Sequence, residues 1–448
     1  MMSQTAKTEP TDQVGVVELC AELIGFDTTN FGEGRSNGEG EIAKHIARLL
    51  SDAGYAPEIV GPTPDRSSVV ARIAGSDPSL PALLVHAHTD VVPVEAEDWS
   101  VPPFAGLIRD GYVWGRGTAD MKDMVAMTIA TAQDWATRSI RPRRDIVLAF
   151  VADEEDRGEF GAQWLVRQRP ELLEGVAAAI GESGGSAMLV LDANGGDRRL
   201  YPVATAERAT MHMRITSTGT SGHGSRPGTD SAVRRLLDAT QRIARHEWPV
   251  HLSSTVRAFL EQASQALGYT AELDSEDGVQ RTISRLGAAG DVARFTVRAS
   301  TTPTVLSAGS KVNVIPGKAE VLIDVRCPPG YEDELEAVID KLLADDATRE
   351  FVSLGRSVES PPDSQWFRAM ERAILDHDPD GVVVPFCMGG GTDAKAFSSI
   401  GIACYGFAPL GLDGGGRVVH GVHGVDERVP IESLVSGQRI LASFLERV

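Results

Sequence analysis

Apolar residues recur every three or four positions from Val14 to Phe26 (VGVVELCAELIGF) and from Gly40 to Gly54 (GEIAKHIARLLSDAG), the spacing of helices with one buried face. The period then changes. SSVVARIAG, ALLVHAH, DIVLAFVA and VAAAIGE are short, nearly continuous apolar runs, which predict strands, several of them buried on both faces. MVAMTIATAQDWAT and GAQWLVRQRPELL fill the gaps with helical spacing. Strands alternating with helices predict an α/β fold, a mainly parallel sheet flanked by helices. Ligand sites in such folds lie beyond the carboxyl ends of the strands.

The character changes near Ala206. ATMHMRITSTG, KVNVIPG, KAEVLIDVRCP and TREFVSLGRSVES predict strands, and DSAVRRLLDATQRIARH and YEDELEAVIDKLLAD predict helices. Together they predict an inserted α+β sandwich over residues 206–356, interrupting a first domain made of residues 1–205 and 357–448. The stretch from Leu252 to Ser300 has mixed helical signals and no assigned place. First-domain signals resume with SQWFRAMERAILDH, VVPFCMGGG and IACYGFAPL. At 448 residues the chain exceeds what one core normally serves, which agrees with two domains.

A net charge of -20, spread along the chain, argues against nucleic acid or an anionic membrane as partner, since both require a basic face. The N-terminal MMSQTAKTEPTDQ lacks the apolar core of a signal peptide, and no run reaches the roughly 20 apolar residues of a membrane span. Cys20, Cys327, Cys387 and Cys404 are scattered without a CxxC pair, so reduced thiols in a cytoplasmic protein are expected.

Candidate chemistry gathers where apolar runs stop. LLVHAHTD ends at Asp90, GYVWGRGTAD at Asp120, VLAFVADEE at Glu155 and AAAIGE at Glu182. Buried carboxylates are costly unless paired or metal-bound, so four such ends look like one metal-centred hydrolytic site. His86, His88 and Asp90 share a face in strand geometry. His88 can ligate metal while Asp90 fixes its ring, and His86 is a rival ligand. Asp120, approached by glycines, suits a carboxylate bridging two ions. Glu154 and Glu155 leave an extended chain in opposite directions, so one can bind metal while the other serves as general base. A last ligand comes from His420 or His423 in VVHGVHGVDERVP. Two His with several carboxylates suit Zn²⁺, with Co²⁺ or Mn²⁺ as alternatives. A rival reading takes GESGG as a GxSxG elbow with Ser183 as nucleophile, which requires a helix immediately after it. A non-catalytic metal- or ligand-binding homologue would lack a base, and Glu154 speaks against it.

Taken together, HTDVVP, GRGTADMKD, DEE, GESGG and HGVDE resemble, in order and over nearly the whole chain, the zinc-dependent family of aminoacylases, acetylornithine deacetylase, succinyl-diaminopimelate desuccinylase and glutamate carboxypeptidase. The resemblance implies a zinc-exopeptidase fold with a lid and dimerisation domain, and two Zn²⁺ per chain. It implies His88, Asp120, Glu155, Glu182 and His423 as ligands, with Asp120 shared, His88 and Glu182 on one ion, Glu155 and His423 on the other. Glu154 would be the general base and Asp90 the residue orienting His88. His223 in SGHGSRP would meet the substrate carbonyl, often from a partner subunit, which implies a homodimer. Asn313, Arg326 and the loop with Gly390, Gly391 and Thr392 would hold the substrate's carboxylate. Glu182, where dipeptidases of the family often carry Asp, leans towards N-acyl-amino acids or carboxypeptidase action. The implied substrate is a small acyl-amino acid or short peptide.

Overall fold

The computed structural model describes residues 15–411 and 420–448. The apolar runs become the middle of a ten-stranded sheet. Ala82–His88 lies between Ile146–Val151 and Val176–Gly181, parallel to both, and Ala403–Gly406 continues the parallel set. Every residue of Ala82–His88 and Ile146–Val151 is buried, as continuous apolar strands with helices on both faces must be. Towards the edges the sheet turns antiparallel, through Arg66–Ile73 and Glu58–Thr63 on one side and Met188–Leu191 and Asp197–Glu207 on the other. The helices Gly15–Ile24, Gly40–Asp52, Lys122–Arg138, Gln365–His377 and Ile431–Arg447 contribute to the core on one face. Ala162–Gln168 and Ala394–Ser398 cover the other. The predicted helix GAQWLVRQRPELL stops at Gln168 because Pro170 cannot continue it, and a separate 3₁₀ turn, Pro170–Leu173, follows.

A second, four-stranded antiparallel sheet runs in the order Ser300–Ala308, Lys318–Cys327, Ala209–Thr218, Thr348–Gly355. Its middle strands bury alternate residues, the mark of a sheet covered on one face. Met211, Met213, Ile215, Val321, Ile323 and Val325 meet Leu236 and Ile243 of the helix Ala232–Ala244 and Leu335 and Ile339 of the helix Glu332–Leu343. One strand differs from expectation. KVNVIPG supplies only Val314–Ile315, paired with Gly222–His223, and the fourth strand is Ser300–Ala308.

The unplaced stretch forms three helices, Ser254–Ala266, Glu276–Arg285 and Ala288–Arg294. Val256, Phe259 and Leu260 of the first pack on Leu200, Ala206, Val384 and Cys387, so these helices cover the large sheet and not the small one. The chain therefore leaves the small core after Trp248, rests on the large sheet, and returns at Ala299. No helix among the described residues is long and apolar enough to cross a membrane.

Candidate metal centre

Three strand ends and two loops converge. His88 closes the central strand, and its Nε2 lies 2.9 Å from Asp120 Oδ1. The other Asp120 oxygen lies 2.9 Å from His423 Nε2, which is 3.3 Å from Glu155 Oε1. Ligand atoms of His88, Asp120 and Glu155 fall within 4.8 Å of one another, as do those of His88, Glu154 and Glu182. The arrangement is two overlapping triads, with Asp120 offering one oxygen to each histidine. Asp120 does not end a strand of the large sheet as the apolar pattern suggested. The strand Tyr112–Trp114 belongs to a separate three-stranded sheet, and Asp120 sits in the loop before the helix Lys122–Arg138.

That loop is held by a residue far along the chain. Glu427 accepts the Ala119 N–H at 2.8 Å and pairs with Arg116 at 2.5 Å, while Arg116 also donates to the Gly424 carbonyl at 2.9 Å. One buried ion pair thus ties the Asp120 loop to the turn carrying His423. Gly117, at φ 87°, makes the bend possible, and a Cβ there would stand 2.7 Å from the Val91 side chain.

Glu154 and Glu155 diverge for a reason other than strand alternation. The strand Ile146–Val151 has ended, and Asp153 at φ 68° starts a turn that sends Glu154 towards Glu182 and Glu155 towards Asp120. The turn is clamped by Asp90. Its Oδ1 accepts the Glu154 N–H and its Oδ2 the Glu155 N–H, each at 3.1 Å, and Asn30 Nδ2 donates to Oδ2 at 2.9 Å. Asp153 in turn pairs with Arg66 at 2.5 Å, and Arg66 Nε lies 2.9 Å from Glu39. The contact expected between Asp90 and His88 takes a different form. His88 Nδ1 is 3.0 Å from the Asp90 backbone carbonyl and 3.7 Å from its carboxylate, so the carbonyl holds the ring.

The other candidates lie elsewhere. His86 joins neither triad; it packs against the Phe397 ring and under Gly181, whose Cβ would stand 2.2 Å from the imidazole. His420 pairs through its backbone with Arg428, and it is His423 that meets Asp120. Ser183 leads to the strand Met188–Leu191, not a helix, so the nucleophile elbow is not formed. His223 is exposed and its Nδ1 engages Ser225, with no hydrogen bond to the triads among the described residues. The Asn313 carbonyl accepts the Gly224 N–H at 2.8 Å beside it. Arg326 donates to Asp324 at 2.7 Å and to Thr210 at 3.0 Å. In the Gly390–Gly391–Thr392 loop, the Thr392 N–H and hydroxyl already donate to Glu207, at 3.1 and 2.5 Å, so they do not offer a free anion site. Sequence reading passed over Asn30, Arg66 and Glu39, which carry no motif. Arg116 and Glu427 stand inside the quoted motifs, but only tertiary contact reveals that they pair.

No lysine or arginine among the described residues forms an ion pair with Asp120, Glu154, Glu155 or Glu182. Burial pushes Glu154 well above the usual carboxylate range, with Glu182 adding repulsion, and burial likewise raises Glu182. A set of mostly half-buried oxygen and imidazole donors short of positive charge, with His88 fully buried and His423 exposed at its rim, fits divalent metal.

Two imidazoles and four carboxylates at the carboxyl end of a parallel sheet define a metallohydrolase. Residues 84–447 match the family described as Peptidase family M20/M25/M40, and the chain belongs to that family. It is similar to mouse N-fatty-acyl-amino acid synthase/hydrolase PM20D1, 27% identical over 452 residues, with 97% of this chain and 88% of that protein covered. Pig aminoacylase-1 is 28% identical over 380 residues, covering 83% of this chain and 82% of that one. The M20 metallo-carboxypeptidase Sso-CP2 from Sulfolobus solfataricus has the same fold, with a TM-score of 0.69 over 98% and 99% of the two chains at 16% identity. The protein is a metal-dependent hydrolase of amide bonds.

Proposed function

We propose that the protein is a two-zinc hydrolase of N-acyl-amino acids with a free carboxylate, acting as a cytoplasmic homodimer. The observation that carries the two-ion reading is Asp120, with an oxygen 2.9 Å from each of His88 and His423. His88, Asp120 and Glu182 would hold one ion, and Asp120, Glu155 and His423 the other. Two divalent ions held there would supply a water of lowered pKa and a Lewis acid for the amide carbonyl. Glu154, half-buried beside Glu182 and raised in pKa by desolvation and that neighbour, would take the proton of the attacking water and deliver it to the leaving nitrogen. Asp90 holds Glu154 and Glu155 in place through their N–H groups.

An apolar acyl group is favoured by exposed apolar residues beside the centre. Val422 and Val425 flank His423–Gly424, and Phe31 follows Asn30. PM20D1, named for fatty-acyl-amino acids, supports the same choice. Arg326, with Asn313 nearby in the lid sequence, would face the carboxylate. For assembly, the edge strand Ser300–Ala308 exposes Val305 and Leu306, a surface suited to pairing with a second copy that brings His223 to the neighbouring site. The four cysteines are buried and free, in keeping with a reducing compartment.

The test is metal analysis with a panel of N-acetyl and N-lauroyl derivatives of phenylalanine, leucine and glutamate. Two zinc ions per chain and chelator-sensitive release of the amino acid are expected. Full activity after exhaustive chelation overturns the proposal.

A further inference from the structure

Three cationic side chains meet where the two sheets join. Lys395 is answered by Glu207 at 3.2 Å and Arg326 by Asp324 at 2.7 Å. Arg208 has no carboxylate within ion-pair distance among the described residues, although it is only 4% exposed. Its guanidinium donates to Ser300 Oγ at 2.8 Å and to the Arg326 carbonyl at 3.0 Å, both neutral acceptors, and its Nε is buried without a partner. Its own N–H donates to the Met388 carbonyl at 3.1 Å. Arg208 therefore joins four stretches of chain: the entry to the small sheet, the return from the three helices at Ser300, the strand bearing Arg326, and the start of the Gly390–Gly391–Thr392 loop.

A buried charge is normally paired, because desolvation is costly and little screened by salt. Here the Arg208 and Arg326 charges oppose each other, and among the described residues the one carboxylate within ion-pair distance of either is Asp324, on Arg326. The imbalance is removed when an anion arrives beside Arg326. Such an anion gains attraction from both cations, while a neutral group of the same shape gains none.

We propose that Arg208 is a specificity-determining positioning residue, a buried and uncompensated cation that makes productive binding depend on a carboxylate in the substrate. The inference rests on the reading of the substrate as an acyl-amino acid whose carboxylate meets Arg326. Arg208 does not touch that group. It supplies field from behind and holds the Arg326 strand through its carbonyl, so its effect is on recognition and not on bond cleavage.

The experiment compares the acyl-amino acid of highest kcat/KM in the panel above with its carboxamide, on fully metallated enzyme. The variants are Arg208→Gln, which keeps a donor for Ser300 and removes the charge, and Arg208→Lys, which keeps the charge. Arg208→Gln should raise KM for the carboxylate roughly tenfold, the loss of through-space attraction from one little-screened buried charge, and leave kcat and the carboxamide KM within about twofold. Arg208→Lys should recover most of the preference. Equal damage to both substrates, or no recovery with lysine, assigns Arg208 a merely structural role and overturns the proposal. If Arg208→Gln does not fold, Arg208→Lys alone decides, since a folded lysine variant without the preference is incompatible with a charge effect. A wild-type enzyme that does not distinguish carboxylate from carboxamide removes the underlying reading as well. A wild-type enzyme that does, beside an Arg208→Gln variant that still does, removes only the role of Arg208.

Discussion

Replacing Asp90 by asparagine separates the two jobs that this residue could have. The side chain is fully buried, and its two oxygens accept the Glu154 N–H, the Glu155 N–H and the Asn30 amide at 2.9–3.1 Å. Asparagine preserves the volume but turns one acceptor into a donor. Whichever way its amide faces, one backbone N–H is left opposite an NH₂ group. An unsatisfied buried donor costs about 1–3 kcal/mol, and losing charge assistance on the remaining bonds adds about 1 kcal/mol. A total of about 2–4 kcal/mol, felt at the turn that aims Glu154 and Glu155, corresponds to roughly 30- to 1,000-fold in kcat/KM. His88 should be spared, because its Nδ1 partner is the Asp90 carbonyl at 3.0 Å, which the substitution leaves in place. The assays are steady-state kinetics with saturating zinc, metal content per chain, and the denaturant midpoint. A variant with full metal and kcat/KM within threefold of wild type would refute the clamp. Loss of the His88-side ion, with the Glu155-side ion retained, would restore the carboxylate as the group that orients His88.

Glu154→Gln should keep its metal and fold while losing nearly all kcat, whereas Glu155→Gln should lose metal affinity; metal analysis beside kinetics checks both, and exchanged phenotypes reverse the assignment. Arg66→Met leaves Glu39 and Asp153 buried without their common cation, so stability should fall by about 3–5 kcal/mol in denaturant unfolding, and a loss under about 1 kcal/mol would contradict the buried pairing. Mixing inactive Glu154→Gln chains with inactive His223→Ala chains should restore activity once subunits exchange, because one site in the mixed dimer has both groups. Verified exchange without recovered activity would rule out action of His223 in the partner's site.

Much of the fold was legible because its signals are local. Continuous apolar strands such as Ala82–His88 and amphipathic helices such as Gly40–Asp52 are dictated by a period that each segment carries within itself. The acids at the ends of those runs pointed to a metal centre for the same reason, since an apolar run closing on DEE has few tolerable fates. The sequence determined that His88, Asp120, Glu154, Glu155, Glu182 and His423 were worth bringing together. Only the tertiary structure decided how. Asp90 could be placed near His88 by spacing, but which of its atoms met the ring depended on a turn begun by the positive φ of Asp153. Glu427 lies over 300 residues from Ala119, and their hydrogen bond has no counterpart in any local pattern. The stretch at 252–300 carried only mixed helical signals, and nothing in them said which sheet it would cover; Phe259 and Leu260 pack on the large one because Val384 and Cys387 offer an uncovered apolar surface there. Local pattern sets what a segment must bury, and only the folded chain determines against what it is buried.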